Sequence, residues 1–391
     1  MACTDTGSSS QPSNEVSTAY QLRIENVAPW TVLKSGTHGT GPIGPGETFA
    51  LSFTGGKGHS ISFATMYGES NDWFFAPGPD GIPLVDDDGV PMAGDVTKYV
   101  KLWNAGTEID QEPAVGDATA PRQPSPNYGA ADPDPRVRIL RDDVSGLVQV
   151  TLVPSSDGGF TLEIMNCVTS TLHLSPLVWA LHRLPAPLFT PGLPDRGGGL
   201  EALAEDGMVG VLGATLAETT GFHTPLSPGV VIVHRAGTPI FRAGEQDFGD
   251  GLESIAEDGN PMPLAASATA VFDTPVGGAA PGPAMPGQAF EVEFLAAPGD
   301  RVSFSTMFGM SNDWFFASRE DGIPIAIGDV TAEVALHDLG TEIDQELDIG
   351  RYTAPQQPGP NTGPADPNTI VRDAAYDQPT TLHMLVTITE K

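Results

Sequence analysis

The sequence predicts an all-β protein built from two related antiparallel β-sandwich domains. Three observations carry that expectation. Apolar or alternating runs of strand length recur along the whole chain. The 46 glycines and 37 prolines punctuate them as turns do and leave little room for long helices. A long segment also returns almost unchanged 241 residues further on.

Taken in order, the runs at 20–24, 48–53, 59–66, 97–103 and 147–153 read as strands. So do 161–166, 177–182, 229–234, 289–294, 301–307, 330–336 and 381–389. Helix is expected only in two short patches near 200–205 and 252–257, stopped by Gly207 and Gly259.

The repeat sets the organisation. Residues 63–76 match 304–317 at 11 of 14 positions, around a shared Ser-Asn-Asp-Trp-Phe-Phe. Downstream the offset falls to 234, and Gly-Thr-Glu-Ile-Asp-Gln-Glu at 106–112 is unchanged at 340–346. The seven-residue difference falls in the loop holding Asp86, Asp87 and Asp88. A second, shorter repeat lies within the later copy: 174–207 returns at 226–259 with 18 identities in 34 positions. The expected layout is a polar tether at 1–17, a trimmed domain at 18–154 and a full domain at 159–391 carrying the duplicated front unit. The first copy lacks a front unit of its own, which raises the further expectation that 174–207 packs against it.

The charge is strongly acidic, with 50 Asp and Glu against 18 Lys and Arg, net −32. A phosphate backbone would be repelled, which argues against nucleic acid. Such a surface suits divalent cations or basic proteins, and it also serves plain solubility. No run reaches the roughly 18 apolar residues of a membrane span. Cys3 follows a small residue and precedes a Ser-rich polar stretch, which resembles the processed start of a bacterial lipoprotein, with Met1 in place of the removed signal. Cys3 is therefore a candidate lipidation site. Two cysteines make no disulfide framework, and Cys167 reads as a small buried hydrophobe.

The candidate chemistry sits in two segments found in both copies. Asp72 and Asp313 precede an aromatic anchor that should hold each carboxylate at the sandwich rim. In the second segment Asp338 and Glu342 flank a Leu-Gly-Thr turn, which can bring both side chains toward one point. An oxygen-only donor set of this kind suits calcium, whereas cysteine is absent and histidine distant, against zinc or copper.

These motifs resemble the spondin N-terminal domain, as in F-spondin and mindin: Asp-Trp-Phe, then a later Asp-x-Gly-Thr-acidic stretch, behind front units of the Leu-Ser-Pro…Gly-Leu-Glu-Ala-Leu-Ala-Glu-Asp-Gly type. The resemblance covers most of the second copy and the back of the first. It implies a C2-like antiparallel sandwich, one calcium at the loop end and a role in extracellular adhesion. Carried over by residue, it implies Asp313, Asp338 and Glu342 as ligands in the second copy. The first copy offers Asp72, Asn104 and Glu108, where Asn104 replaces an acidic ligand. Asp110 and Asp344, two residues beyond the glutamates, are additional candidates.

The reading that follows is a secreted or surface-anchored calcium-binding module for a matrix protein, surface protein or carbohydrate. The alternative is a self-associating subunit of a surface layer or filament, since tandem similar domains permit head-to-tail contacts. An enzyme would need a nucleophile or an acid/base pair, and no such motif appears. His182 and His234, each ending an apolar strand beside an Arg, are the nearest candidates and read as structural. Glu205-Asp206 and Glu257-Asp258 read as solvated helix ends.

Overall fold

The computed structural model describes residues 16–156, 158–222 and 224–391; Cys3 and most of the 1–17 tether lie outside them. It contains four antiparallel sheets arranged as two sandwich-like halves, with three short α-helices among the described residues. None of those helices is long and apolar enough to cross a membrane.

The longer strands are numbered in chain order. The early ones are β1 (Thr18–Asn26), β2 (Lys34–His38), β3 (Thr48–Thr54), β4 (Ser60–Tyr67), β5 (Trp73–Pro77), β6 (Val100–Asn104), β7 (Arg138–Arg141) and β8 (Val148–Pro154). Next come β9 (Gly159–Asn166), β10 (Leu174–His182), α1 (Leu200–Asp206) and α2 (Gly210–Glu218). The rest are β11 (Leu226–His234), α3 (Leu252–Asp258), β12 (Ala270–Phe272), β13 (Ala289–Ala296), β14 (Arg301–Phe308), β15 (Trp314–Ser318), β16 (Val334–Asp338) and β17 (Met384–Glu390).

The first half pairs a sheet ordered β2-β10-β4-β5-β6-β7 with one ordered β3-β9-β8, completed by Gly94–Asp95. The second half repeats the plan as β12-β11-β14-β15-β16, completed by Arg372–Asp373, over β13-β1-β17, completed by Gly328–Asp329. Alternation explains the facing: along β3 every second residue is buried, with Phe49, Leu51 and Phe53 turned inward. Those rows meet Phe63 and Phe75 in the first half, as Phe290, Phe294, Phe304 and Phe316 do in the second. The outer face of each larger sheet carries a helix. Leu200, Leu203 and Ala204 of α1 cover Phe74 and Trp103, and Leu252, Ile255 and Ala256 of α3 cover Phe315.

The expected boundary at 154–159 does not separate two sheets. β8 and β9 form a hairpin within one sheet, in register from Val148↔Asn166 to Pro154↔Phe160. β10 then pairs with β2 and β4, and α1 packs on β4 and β5, so the 174–207 unit belongs to the first half. In exchange β1 leaves the segment it precedes and lies between β13 and β17 as a central strand of the second half. The first half is thus a continuous body threaded between β1 and β11 of the second. Between β13 and β17, β1 is paired along both edges and buries Leu22 and Ile24 completely.

Two local expectations also change. Helix extends to α2, whose two glycines and weak amphipathic pattern hid it; it seats Leu212 and Leu216 on the first half's outer face. Cys167 is half-buried just past β9, rather than part of a core strand.

Candidate metal centre

Each half builds the same rim from the same local rules. In Ser311-Asn312-Asp313-Trp314, the Ser311 hydroxyl donates to Phe308 O (2.8 Å) and accepts the Trp314 N–H (3.0 Å), which closes the turn between β14 and β15. Asn312 Nδ2 donates to Ile343 O at 3.0 Å and ties that turn to the Gly-Thr-Glu loop. Asp313, fully buried, is held by the opposite segment: its Oδ2 accepts the backbone N–H of Thr341 (2.9 Å) and of Glu342 (3.0 Å).

Asp338 ends β16 directly across from Trp314 in the sheet register. Its Oδ1 accepts the Gly340 N–H at 2.7 Å. Gly340 has φ +74°, and an added Cβ would lie 2.7 Å from the carbonyls of Asn368 and Ile370, so this turn requires glycine. The Trp314 indole N–H donates to Asp344 Oδ1 at 2.6 Å and fixes that exposed carboxylate at the rim.

Asp313, Asp338 and Asp344 thereby bring one oxygen each within 4.8 Å of one another, a triad able to hold a metal ion. The donor set fits one. The Asp313 Oδ1 atom is buried with no hydrogen-bond partner, and all three donors are carboxylate oxygens. Arg372 partly balances them, with Nη2 2.5 Å from Asp338 Oδ2 and 2.6 Å from Asp366 Oδ2. Burial, followed by the neighbouring Asp313 and Asp344 charges, still pushes the Asp338 carboxyl up to about 7. Burial likewise pushes Asp313 up to about 6.

Glu342, expected among the ligands, is not part of that triad; Asp344 takes its place. The reason is the direction of the chain: Glu342 lends Asp313 its backbone N–H, so its side chain turns away and accepts the Gly363 N–H at 2.6 Å. Its other oxygen is buried without a partner. An open cleft of about 350 Å³ lies on that side, lined by Asp247, Glu253, Thr341 and Glu342 among others.

The first half reproduces the frame without forming a carboxylate triad among the described residues. Asp72 Oδ2 accepts from the Thr107 and Glu108 N–H groups at 3.2 and 3.4 Å, and the Trp73 indole donates to Asp110 Oδ1 at 2.5 Å. Burial pushes Asp72 up to about 7. Glu108, like Glu342, turns away and accepts the Gly129 N–H at 2.5 Å. Asn104 stands where Asp338 stands, and its amide donates to both Asp72 Oδ1 (3.1 Å) and Asp110 Oδ1 (2.7 Å).

His182 is buried; its Nδ1–H donates to Leu184 O (2.7 Å) and its Nε2 accepts the Ser62 hydroxyl (2.8 Å), while burial holds its pKa down at about 4. His234 Nε2 repeats the contact with Ser303 at 2.9 Å. Glycines in left-handed conformation close over both pairs: a Cβ at Gly81 or Gly322 would lie 2.8 or 2.6 Å from the imidazole.

The solvated-helix reading of Glu205 and Glu257 is corrected. Both are 1% exposed, and burial pushes each up to about 8 against the Thr107 and Thr341 hydroxyls beside them. Sequence reasoning missed them, although their recurrence inside Gly-Leu-Glu-x-x-Ala-Glu-Asp-Gly was a signal. Helical spacing does not predict the burial: five residues past the leucine at the helix start, the glutamate lies about 140° round the helix, and packing on the sheet covers it.

No protein-family model matches the chain, and no curated protein matches it by sequence.

Proposed function

We propose that the chain is a calcium-binding adhesion module of spondin type, acting outside the cell or at its surface, with its cation at the rim of the second half. One observation carries the reading: three carboxylates converge there around a buried Asp313 oxygen that has no partner in the protein. Oxygen-only donors in a loop-built, adaptable site favour calcium over magnesium, which demands near-ideal octahedral geometry. Asp313, Asp338 and Asp344 hold the ion, and Glu342 supports them through its backbone. The acidic cleft beside Glu342 is where a matrix or surface partner would meet the module.

Thermal unfolding tests it, with calcium, magnesium or chelator, on the wild type and on D313A/D338A. A ligand bound only by the folded state raises stability by about 2.7 kcal/mol at a hundred times its Kd. Calcium is expected to raise the wild-type Tm by several degrees and to leave the variant unmoved. An equal response in both proteins, or none in either, removes the cation from the rim.

A further inference from the structure

We propose that the first half is a cation-independent copy of the same rim, in which the Asn104 amide does the bridging that a cation does in the second half, so that the chain binds one cation. The inference rests on the cation-binding reading of the second half and adds what decides which half responds.

The two rims differ at very few atoms. The backbone frame is shared: the Gly106 N–H donates to Asn104 Oδ1 at 2.5 Å, as the Gly340 N–H donates to Asp338 Oδ1 at 2.7 Å. The outer carboxylate is placed the same way in both, by the indole of Trp73 or Trp314. The arginine is present in both but turns to the outer Asp110 in the first half and to Asp338 in the second. Arg138 Nη2 lies 2.6 Å from Asp132 and 3.6 Å from Asp110, where Arg372 meets Asp366 and Asp338. Both inner aspartates are fully buried.

The difference lies in the second side-chain atom at one position and in what that atom meets. In the first half it is Nδ2, an N–H donor pointed at two carboxylate oxygens. In the second half it is Oδ2, an acceptor that Arg372 Nη2 meets at 2.5 Å and that donates to neither neighbouring carboxylate. Two carboxylates cross-linked by an amide need nothing more. Three carboxylates with oxygens this close, two of them buried and one exposed, repel one another; Arg372 offsets Asp338 on one side, and Asp313 Oδ1 is left without a donor. The orphaned atoms agree: Asp313 Oδ1 has no partner, whereas the corresponding Asp72 Oδ1 accepts from Asn104.

The experiment counts calcium bound per full-length chain, by equilibrium dialysis and calorimetry, for wild type, N104D and D338N. The expected numbers are one, two and none. D338N also places the amide in the second half, and its Tm in chelator at pH 8 is expected to rise by roughly 2–4 °C, the scale of one hydrogen-bond gain in a body this size. Arg372 keeps Asp366 in that variant, as Arg138 keeps Asp132. A wild type that binds two ions, or a folded N104D that still binds one, overturns the inference. A wild type that binds none removes the function proposed above instead. In that event, or if N104D does not fold, the chelator Tm of D338N decides: a rise supports the amide bridge, and no rise overturns it.

Discussion

At the scale of single residues, the rim works because each carboxylate is positioned by a group that is not itself a ligand. Asp313 is aimed by two backbone N–H groups, Asp338 by Gly340 and Asp344 by an indole. The Trp314 contact makes the site optically addressable. Terbium bound by the triad is expected to luminesce on excitation of tryptophan, and W314F to lose most of that signal while W103F keeps it. Equal loss in the two variants would place the lanthanide elsewhere. Asp313 and Asp338 were legible in the sequence because a repeated polar motif beside aromatic residues marks a held loop. The swap of Glu342 for Asp344 was not. It depends on whether Glu342 offers its backbone or its side chain to Asp313, and spacing does not distinguish the two.

At the scale of elements, the contact between the halves centres on buried Asp348. Its carboxylate accepts Arg183 Nε and Nη2 at 2.8 and 2.5 Å and His59 Nε2–H at 2.8 Å, while the Gly56 N–H donates to His59 Nδ1. Burial alone would raise the Asp348 pKa, but these partners hold it below the ordinary carboxylate range. Lys34 with Glu346, and Lys57 N–H with Gln356, extend the contact. Removing Asp348 strands a half-buried guanidinium, so D348A is expected to cost about 3 kcal/mol by urea unfolding; a change below about 0.5 kcal/mol would mean that the apolar contacts alone join the halves. The repeat alignment puts Ala114 at the position of Asp348 and Asp300 at that of His59. Asp300 instead pairs with Arg235 within its own half. The free ends therefore keep the arginine, as Arg235, but lack the buried carboxylate and the imidazole that join the two halves.

At the scale of the whole molecule, the buried titratable groups set opposite pH limits. Asp72, Asp313, Asp338, Glu205 and Glu257 have native pKa values of about 6 to 8, above the roughly 4 of an unfolded carboxyl. Between those values the native state holds more protons, so stability falls as pH rises from about 4 to 8. His182, His337 and His383 are held down at about 4 by burial, against about 6.5 unfolded. The unfolded state takes their protons first, so stability falls as pH drops from 6.5 to 4. The five carboxyls outweigh the three imidazoles, so cation-free protein is expected to lose stability steadily from about pH 5 to 8. Calcium should lift the alkaline limb most, because it replaces the protons on Asp313 and Asp338. A Tm maximum above pH 7 in chelator would contradict this balance.

The sequence by itself determined the all-β class, the duplication, most strand positions and the two rims, because alternation, turn residues and repeated motifs are local properties. Only the tertiary structure decided which half each strand completes. β1 and β9 are both amphipathic strands that several sheet edges would accept, and burial across the sandwich, not propensity, selects among them. The tertiary structure also decided that Glu205 and Glu257 are buried, that Asp344 replaces Glu342 in the triad, and that the Asn104 amide lies between two carboxylates. Each of these depends on the direction of a side chain relative to a segment distant in sequence, which only the packed chain specifies.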